Sequence, residues 1–392
     1  MTTSLLSGIT VLDFSGYIAG PCGAALLGDM GASVIKIEVP AGDPMRHYPS
    51  SLPDESRAFL GVNRNKIGIT LDLKSASGQE ICQRLIKKTD VIIHNFRASA
   101  ALRLKLDYDS VLALNDQIVY GSLTGYGTEG PMAPHPGFDQ VLQSMTGIAH
   151  AQGASIGQPT SVVGSIVDYY GGSMLALGIS AALFNRDRTK QAQLIETSLL
   201  RSALAMQAGR LVWADGEAKD VERDLKPGKL AGIHPTKEGF IYIQAQTPKF
   251  WLSLCDCLGV SQLADDPRFG DMVNRKNNED ALIPIIHEAL SQRTALEWEE
   301  SLAGRVPCTV VRRVDDMFDH PQVAAEQIIV KHEHPGLGGY RAFAGPLVHN
   351  AHNDITNERR APLLGEHNEE VLMDLGLSAE QIQAAHDDGA FG

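Results

Sequence analysis

Apolar positions in this chain fall into short runs rich in valine and isoleucine, each followed by a segment with apolar residues at helical spacing. Residues 8–14, GITVLDF, read as a strand because the apolar run is short and is bounded by Gly8 and the Ser15-Gly16 turn. A small-residue helix from Cys22 to Met30 and a second strand over 31–38 complete a βαβ unit of about 30 residues, the spacing a parallel pair requires. The pattern then repeats. A strand within 63–74 leads to an amphipathic helix over 78–88, with Ile81, Leu85 and Ile86 on one face, and then to strands over 90–97 and 117–122. In SVVGSIVDYYGGS, residues 161–173, the β-branched run reads as another strand and 174–184 as a small-residue helix, which sets Asp168 at a strand-to-helix turn. Residues 194–213 read as one more long apolar helix. The periodicity predicts an α/β fold, a doubly wound parallel sheet whose ligand sits at the rim, where strand carboxyl ends meet helix N-termini.

The pattern changes at residue 215. Residues 215–229 are charged and hold Gly216, Pro227 and Gly228, which marks a linker between a large domain over 1–214 and a smaller α+β domain over 230–325. In the smaller domain 239–245 alternates as a strand, 251–258, 280–290 and 295–302 are helical, and His234 reads as a surface loop histidine. Residues 326–392 are expected to return to the large domain with a strand and a final helix. Residues 123–137 carry too much glycine and proline for regular structure and read as a binding loop or lid.

With 392 residues, 43% of them hydrophobic, the chain is too long for one simple core and suits this two-domain division. The net charge of -13 argues against a nucleic-acid partner or an anionic membrane, while leaving room for a local basic pocket. No basic n-region opens the chain, and the apolar stretch over 16–35 is broken by glycines and Asp29, so neither a signal peptide nor a membrane span is expected. Five cysteines without Cys-x-x-Cys spacing indicate neither a disulfide framework nor a zinc site, which makes the cytoplasm the expected compartment.

Two groups carry candidate chemistry. Asp168 reads either as a helix N-cap or as a reactive carboxylate at the sheet rim. Asn95, Phe96 and Arg97 end one strand, Arg103 follows on a helical stretch, and with Lys66 they make a set of donors beside an aromatic face. That set suits a ligand with phosphates and an adenine ring, or else is a solvated helix start. The turn over 16–21 lacks the full Gly-x-Gly-x-x-Gly, so a nicotinamide cofactor is not predicted, although Glu38 stands where its acidic partner would.

Taken together, these segments resemble the class III coenzyme A transferases, whose relatives include formyl-CoA transferase, the carnitine CoA-transferases and the α-methylacyl-CoA racemases. The resemblance rests on residues 8–14 with Ala19-Gly-Pro21, 31–38 with Gly42-Asp43, Asn65-Lys66 with 71–73, 90–97, 125–131, Val306-Pro-Cys308, and 360–367. It implies that Asp168 is a nucleophile that forms an acyl-aspartyl anhydride and then an aspartyl-CoA thioester, with Gly171 and Gly172 amides at the oxyanion. It implies that Asn95, Phe96, Arg97, Arg103 and Lys66 hold coenzyme A, with Ile18, Tyr126, Phe138, Gly171 and Gly172 around the acyl group. The resemblance further implies coenzyme A as co-substrate with no further cofactor or metal, an acyl-CoA and a carboxylic acid as partners, and an interlocked homodimer as the assembly. It also implies a Rossmann-like large domain, its parallel sheet formed from both chain ends.

Three departures bear on the substrate, one being the absence of formyl-CoA transferase's run of consecutive glycines in the small domain, whose nearest counterpart is Leu230-Ala-Gly-Ile-His234. Val39 stands where formyl-CoA transferase carries an arginine and Ile18 where it carries a glutamine, which points away from formyl or oxalyl groups and toward a less polar acyl pocket. The racemase branch is the alternative, since its catalytic Gly-His-Asp corresponds to Gly137-Phe138-Asp139, without the imidazole. A non-catalytic acyl-CoA-binding protein is a third reading.

Overall fold

The computed structural model describes residues 4–218, 221, 228–347 and 359–392. They divide into two compact units, Met1–Asp215 with Gln322–Gly392, and Gly216–Pro321. Of the expected linker at 215–229, residues 219–220 and 222–227 lie outside the described residues.

The first unit is built on a parallel sheet of β1 (Thr10–Asp13), β2 (Ser33–Glu38), β3 (Lys66–Thr70), β4 (Val91–His94), β5 (Val119–Thr124) and β6 (Gln193–Ser198). Their order, β3-β2-β1-β4-β5-β6, is doubly wound and reverses direction between β1 and β4. Alternation along the strands buries both faces. Val11, Val91, Ile93 and Val119 pack with α1 (Ala19–Asp29) on one side, while Leu12, Ile35, Ile92 and Tyr120 pack with Ile81 and Leu85 of α2 (Ala76–Lys87) on the other. The short helix α3 (Ala98–Arg103) follows β4, and α4 (Asp139–Met145) follows the glycine- and proline-rich loop after β5.

The largest departure from the sequence reading lies around Asp168. No strand precedes it. Gly164 and Ser165 both take left-handed backbone, with φ of 104° and 55°, which breaks extended structure, and the helix α5 (Ile166–Thr189) begins at once. Asp168 is therefore in the first turn of α5 and is not its cap. The sheet position expected for residues 161–167 is filled by β6, after the helix, and the long helix expected over 194–213 is this strand plus α6 (Leu199–Ala205), which is capped by the Ser198 hydroxyl. By length and composition α5 is the one described helix able to cross a membrane. It packs Val167, Leu175, Ile179 and Leu183 into the sheet core.

The second unit packs α7 (Pro248–Leu258), α8 (Glu279–Leu290) and α9 (Ala295–Leu302) with an antiparallel sheet of β7 (Gly232–Pro235), β8 (Phe240–Ile243) and β9 (Cys308–Val310). His234 is not a surface residue: it is buried, with Nε2 against the Leu230 carbonyl at 3.1 Å and Nδ1 against His287 Nε2 at 3.2 Å.

The C-terminal segment returns to the first unit but adds no strand to the parallel sheet, contrary to expectation. It contributes the hairpin of β10 (Ile329–His334) and β11 (Gly338–Phe343), then α10 (Asn368–Asp374) and α11 (Ala379–Asp387). Val371 and Leu372 pack under α2, and the side chains of His367 and Asn368 accept the Gly68 and Thr70 amides at 3.1 and 2.9 Å. These two bonds close the edge of β3, so a further strand has no ladder to join. All five cysteines are free thiols, Cys22, Cys82 and Cys255 of them buried.

Candidate active site

Where the sheet order reverses, the loops after β1 and β4 part and leave a crevice of about 610 Å³ at the carboxyl ends of β1 to β4. Asn95, Phe96, Arg97 and Arg103 line it together, as expected. Arg97 and Arg103 are exposed, and neither side chain is paired with another described residue. Two of the acids around them are neutralised internally. Glu38 holds Arg46 through two bonds of 2.7 Å and Asp43 pairs with Lys36 at 2.9 Å, while Asp72 keeps its charge and only accepts the Lys74 backbone amide at 2.9 Å. The rim is locally cationic on an acidic protein, an arrangement that receives phosphates.

Lys66 does not belong to this cluster. Its side chain is fully buried, and its three ammonium protons go to Asp13 Oδ2 at 2.8 Å, the Pro21 carbonyl at 2.9 Å and Asn63 Oδ1 at 2.8 Å. An ammonium has three donors, so none remains for a ligand. Two other lysines line the crevice: Lys36, buried in its pair with Asp43, and Lys74, exposed in the loop after β3. The position of Lys74 just past the apolar run of β3 was available in the sequence. Asn95 lines the crevice, yet its amide clasps Gly16, donating to the carbonyl at 2.7 Å and accepting from the amide at 3.0 Å. It shapes the β1 loop.

A line of contacts leads from this loop to Asp168. Tyr17, in left-handed backbone with φ 66°, donates its amide to Asp43 Oδ1 at 3.2 Å and sets its ring edge-to-face against Phe138, centroids 5.5 Å apart. Phe138 precedes Asp139, whose Oδ2 accepts the amides of Val167 at 2.6 Å and Asp168 at 3.2 Å. Asp139 thus caps α5 from another helix, since Ser165 makes no side-chain cap bond. Nothing in the local pattern announces a cap from 29 residues away.

Burial and Asp139 together set the state of Asp168. The two amides that would favour an anion at the helix start already face a carboxylate. The oxygens of Asp168 accept no hydrogen bond from a described residue. Burial, with a smaller contribution from the Asp139 charge, pushes the Asp168 pKa up to about 7. A half-buried carboxylate that is unbonded and basic for its type is a candidate for chemistry, as a nucleophile or as a proton carrier.

The expected acyl neighbours separate. Phe138 is half exposed beside Tyr17. Ile18 packs against Met45, Phe59 and Leu60, and Tyr126 lies in the core with Leu142 and Val167. Gly171 and Gly172 lie past the first turn of α5, beyond the helix amides left free for an oxyanion. Their role is close packing: a Cβ on Gly172 would stand 2.6 Å from the Ala19 carbonyl oxygen, and one on Gly171 3.2 Å from Ser202 Oγ. Among the described residues no group of His, Cys, Asp and Glu could hold a metal ion.

The model of CoA-transferase family III matches residues 6–368. Over 374 aligned residues the chain is 34% identical to acetyl-CoA:oxalate CoA-transferase of Acetobacter aceti, with 92% of each chain covered. It is 31% identical over 415 aligned residues to formyl-CoA:oxalate CoA-transferase of Streptomyces coelicolor, covering 99% of this chain and 100% of that protein. The crystal structure of a CaiB/BaiF family protein from Brucella suis is similar with a TM-score of 0.84 at 29% identity, over 95% of this chain and 100% of that one. The chain belongs to CoA-transferase family III and is an enzyme of that class.

Proposed function

We propose that this enzyme moves coenzyme A from an acyl-CoA donor to a small or medium carboxylic acid by covalent catalysis at Asp168. The nucleotide of coenzyme A lies in the crevice, its phosphates toward Arg97, Arg103 and Lys74 and its adenine against Phe96, and the thioester reaches Asp168 past Tyr17 and Phe138. An Asp168 oxygen attacks the thioester carbonyl and the C–S bond breaks, giving an acyl-aspartyl anhydride and CoA thiolate. The thiolate attacks the Asp168 carbonyl, releasing the donor acid and leaving an aspartyl-CoA thioester. The acceptor carboxylate displaces the thiolate to form a second anhydride, and the thiolate then attacks the acceptor carbonyl and frees Asp168. The observation that carries this reading is the unbonded, basic Asp168 carboxylate at the end of the path from a cationic crevice. Apolar Tyr17 and Phe138 along that path favour an acyl group without a second charge.

One observation favours the racemase alternative: a pKa of about 7 also suits a proton carrier. Phe138, in the place of the histidine, supplies no second base. Incubation with a panel of acyl-CoA thioesters in heavy water, a hydroxylamine quench and peptide mass spectrometry separates the readings. A hydroxamate on the Asp168 peptide is the expected result. Deuterium at the substrate α carbon with Asp168 unmodified transfers the assignment to racemisation, and binding with neither change leaves a CoA-binding protein.

The protein is further proposed to be an interlocked homodimer. The first unit exposes Leu177 and Phe184 on α5 at 62% and 67%, with Val212 and Trp213 at 69% and 54%, apolar surface that a second copy would cover. Light scattering of dilute protein is expected to give twice the chain mass. A folded monomer persisting under those conditions overturns the dimer.

A further inference from the structure

The last residue of β4, His94, is 3% exposed and does not line the crevice, yet it touches what does. Its Nδ1 accepts the Phe96 amide at 3.1 Å, so the ring proton is on Nε2, which lies 2.5 Å from the Tyr120 hydroxyl. Tyr120 in turn donates to the Leu106 carbonyl at 2.8 Å, three residues after Arg103. The same imidazole stacks on the Phe96 ring, with centroids 5.4 Å apart and planes 16° from parallel, and Tyr120 is braced edge-to-face by Tyr108 at 5.4 Å. One side chain therefore fixes both the turn that presents Phe96 and the stretch that follows Arg103.

We infer that His94 is a positioning residue for nucleotide recognition: through Phe96 on one side and Tyr120 and Leu106 on the other, it holds the aromatic wall and the segment carrying Arg103 in register. The relay needs a neutral ring with one fixed tautomer. Burial supplies it by lowering the His94 pKa to about 4, so the imidazole keeps its single proton through the neutral range. This role rests on the proposed placement of the coenzyme A nucleotide in the crevice.

The test compares His94→Leu, which removes both bonds, with His94→Asn, which keeps an acceptor near the Nδ1 position. Calorimetric titration uses three probes: coenzyme A, adenosine 3′,5′-bisphosphate as the nucleotide alone, and pantetheine as the arm alone. His94→Leu is expected to weaken the first two by the same factor, about fivefold, the part of losing both bonds that the loosened ring and the Arg103 segment pass on to the nucleotide. Pantetheine affinity stays unchanged, and His94→Asn recovers most of the loss. Equal weakening of pantetheine, or Asn behaving like Leu, reduces His94 to a structural residue. Where His94→Leu does not fold, His94→Asn against the native protein still decides, because breaking only the Tyr120 bond must weaken the bisphosphate and spare pantetheine. Phe96→Ala separates the two levels of argument. If it leaves bisphosphate binding unchanged, the crevice assignment itself fails; if it weakens binding while His94→Leu does not, only the role of His94 is overturned.

Discussion

Asp168→Asn is expected to lower turnover by at least about 10³-fold and, at the same time, to raise the melting temperature at pH 8. The loss follows from removing the attacking oxygen, since an amide cannot form the anhydride. The gain in stability follows from linkage. In the folded protein Asp168 titrates at about 7, against about 3.9 for an exposed aspartate, so the folded state holds the proton over that interval and the unfolded state does not. Stability attributable to this group is therefore highest near pH 4 and falls as the pH rises through about 7. Asparagine does not titrate, so it gains nothing near pH 4 and the full difference above pH 7. A shift of this size corresponds to about 4 kcal/mol at 1.36 kcal/mol per unit, and water reaching the half-buried group reduces the expected gain to about 1–2 kcal/mol. Melting curves of both proteins at pH 4.5 and pH 8 check the sign. In the native enzyme kcat/KM should rise with pH through about 7, as the nucleophile ionises. A variant no more stable than the native chain at pH 8, or a rate independent of pH across that range, contradicts the state assigned to Asp168.

The parallel sheet was legible because each βαβ unit writes its own local pattern. Runs such as residues 10–13 and 91–94 are apolar on both sides because helices cover both faces. Reading failed where conformation is set by one or two residues against composition. Residues 161–167 have a strand's composition, but left-handed Gly164 and Ser165 turn the chain into a helix there. Residues 193–198 have an edge strand's alternation, hidden by the apolar helix that follows. That Asn95, Phe96, Arg97 and Arg103 line one crevice was legible because one strand end and the next turn carry them all. Lys66 was misread because sequence gives a lysine's charge and not its direction, and this one points into Asp13 and Asn63. The roles of Asp139 and His94 depend on contacts across helices and strands, which a single amino-acid sequence does not display.

Gly172→Ala is expected to destabilise the protein by about 3 kcal/mol, against the sign that helix propensity alone assigns. Gly172 lies inside α5, where alanine is normally better by about 1 kcal/mol. Here the added methyl would stand 2.6 Å from the Ala19 carbonyl oxygen and 3.0 Å from the Gly23 amide nitrogen, both backbone atoms of α1. Side chains can rotate away, but backbone at that distance yields only if α1 and α5 move apart. Gly23 faces the same crossing, its own Cβ position 3.0 Å from the Gly172 carbonyl oxygen, so the two helices meet through glycine on both sides. The matched control is Gly61→Ala, at a helical glycine with no atom within 4 Å of the added carbon, which should be neutral or slightly stabilising. Function should suffer more than stability. Asp168 is one turn before Gly172 on the same face of α5, and α1 begins directly after Tyr17 and Ile18. Separating the helices draws the nucleophile away from the loop that delivers the thioester, and a displacement near 1 Å costs about 100-fold in rate. Gly172→Ala should therefore keep coenzyme A affinity, set in the crevice, while losing turnover at temperatures where it remains folded. If it melts at or above the native temperature, the glycine contact is not what holds Asp168 in place.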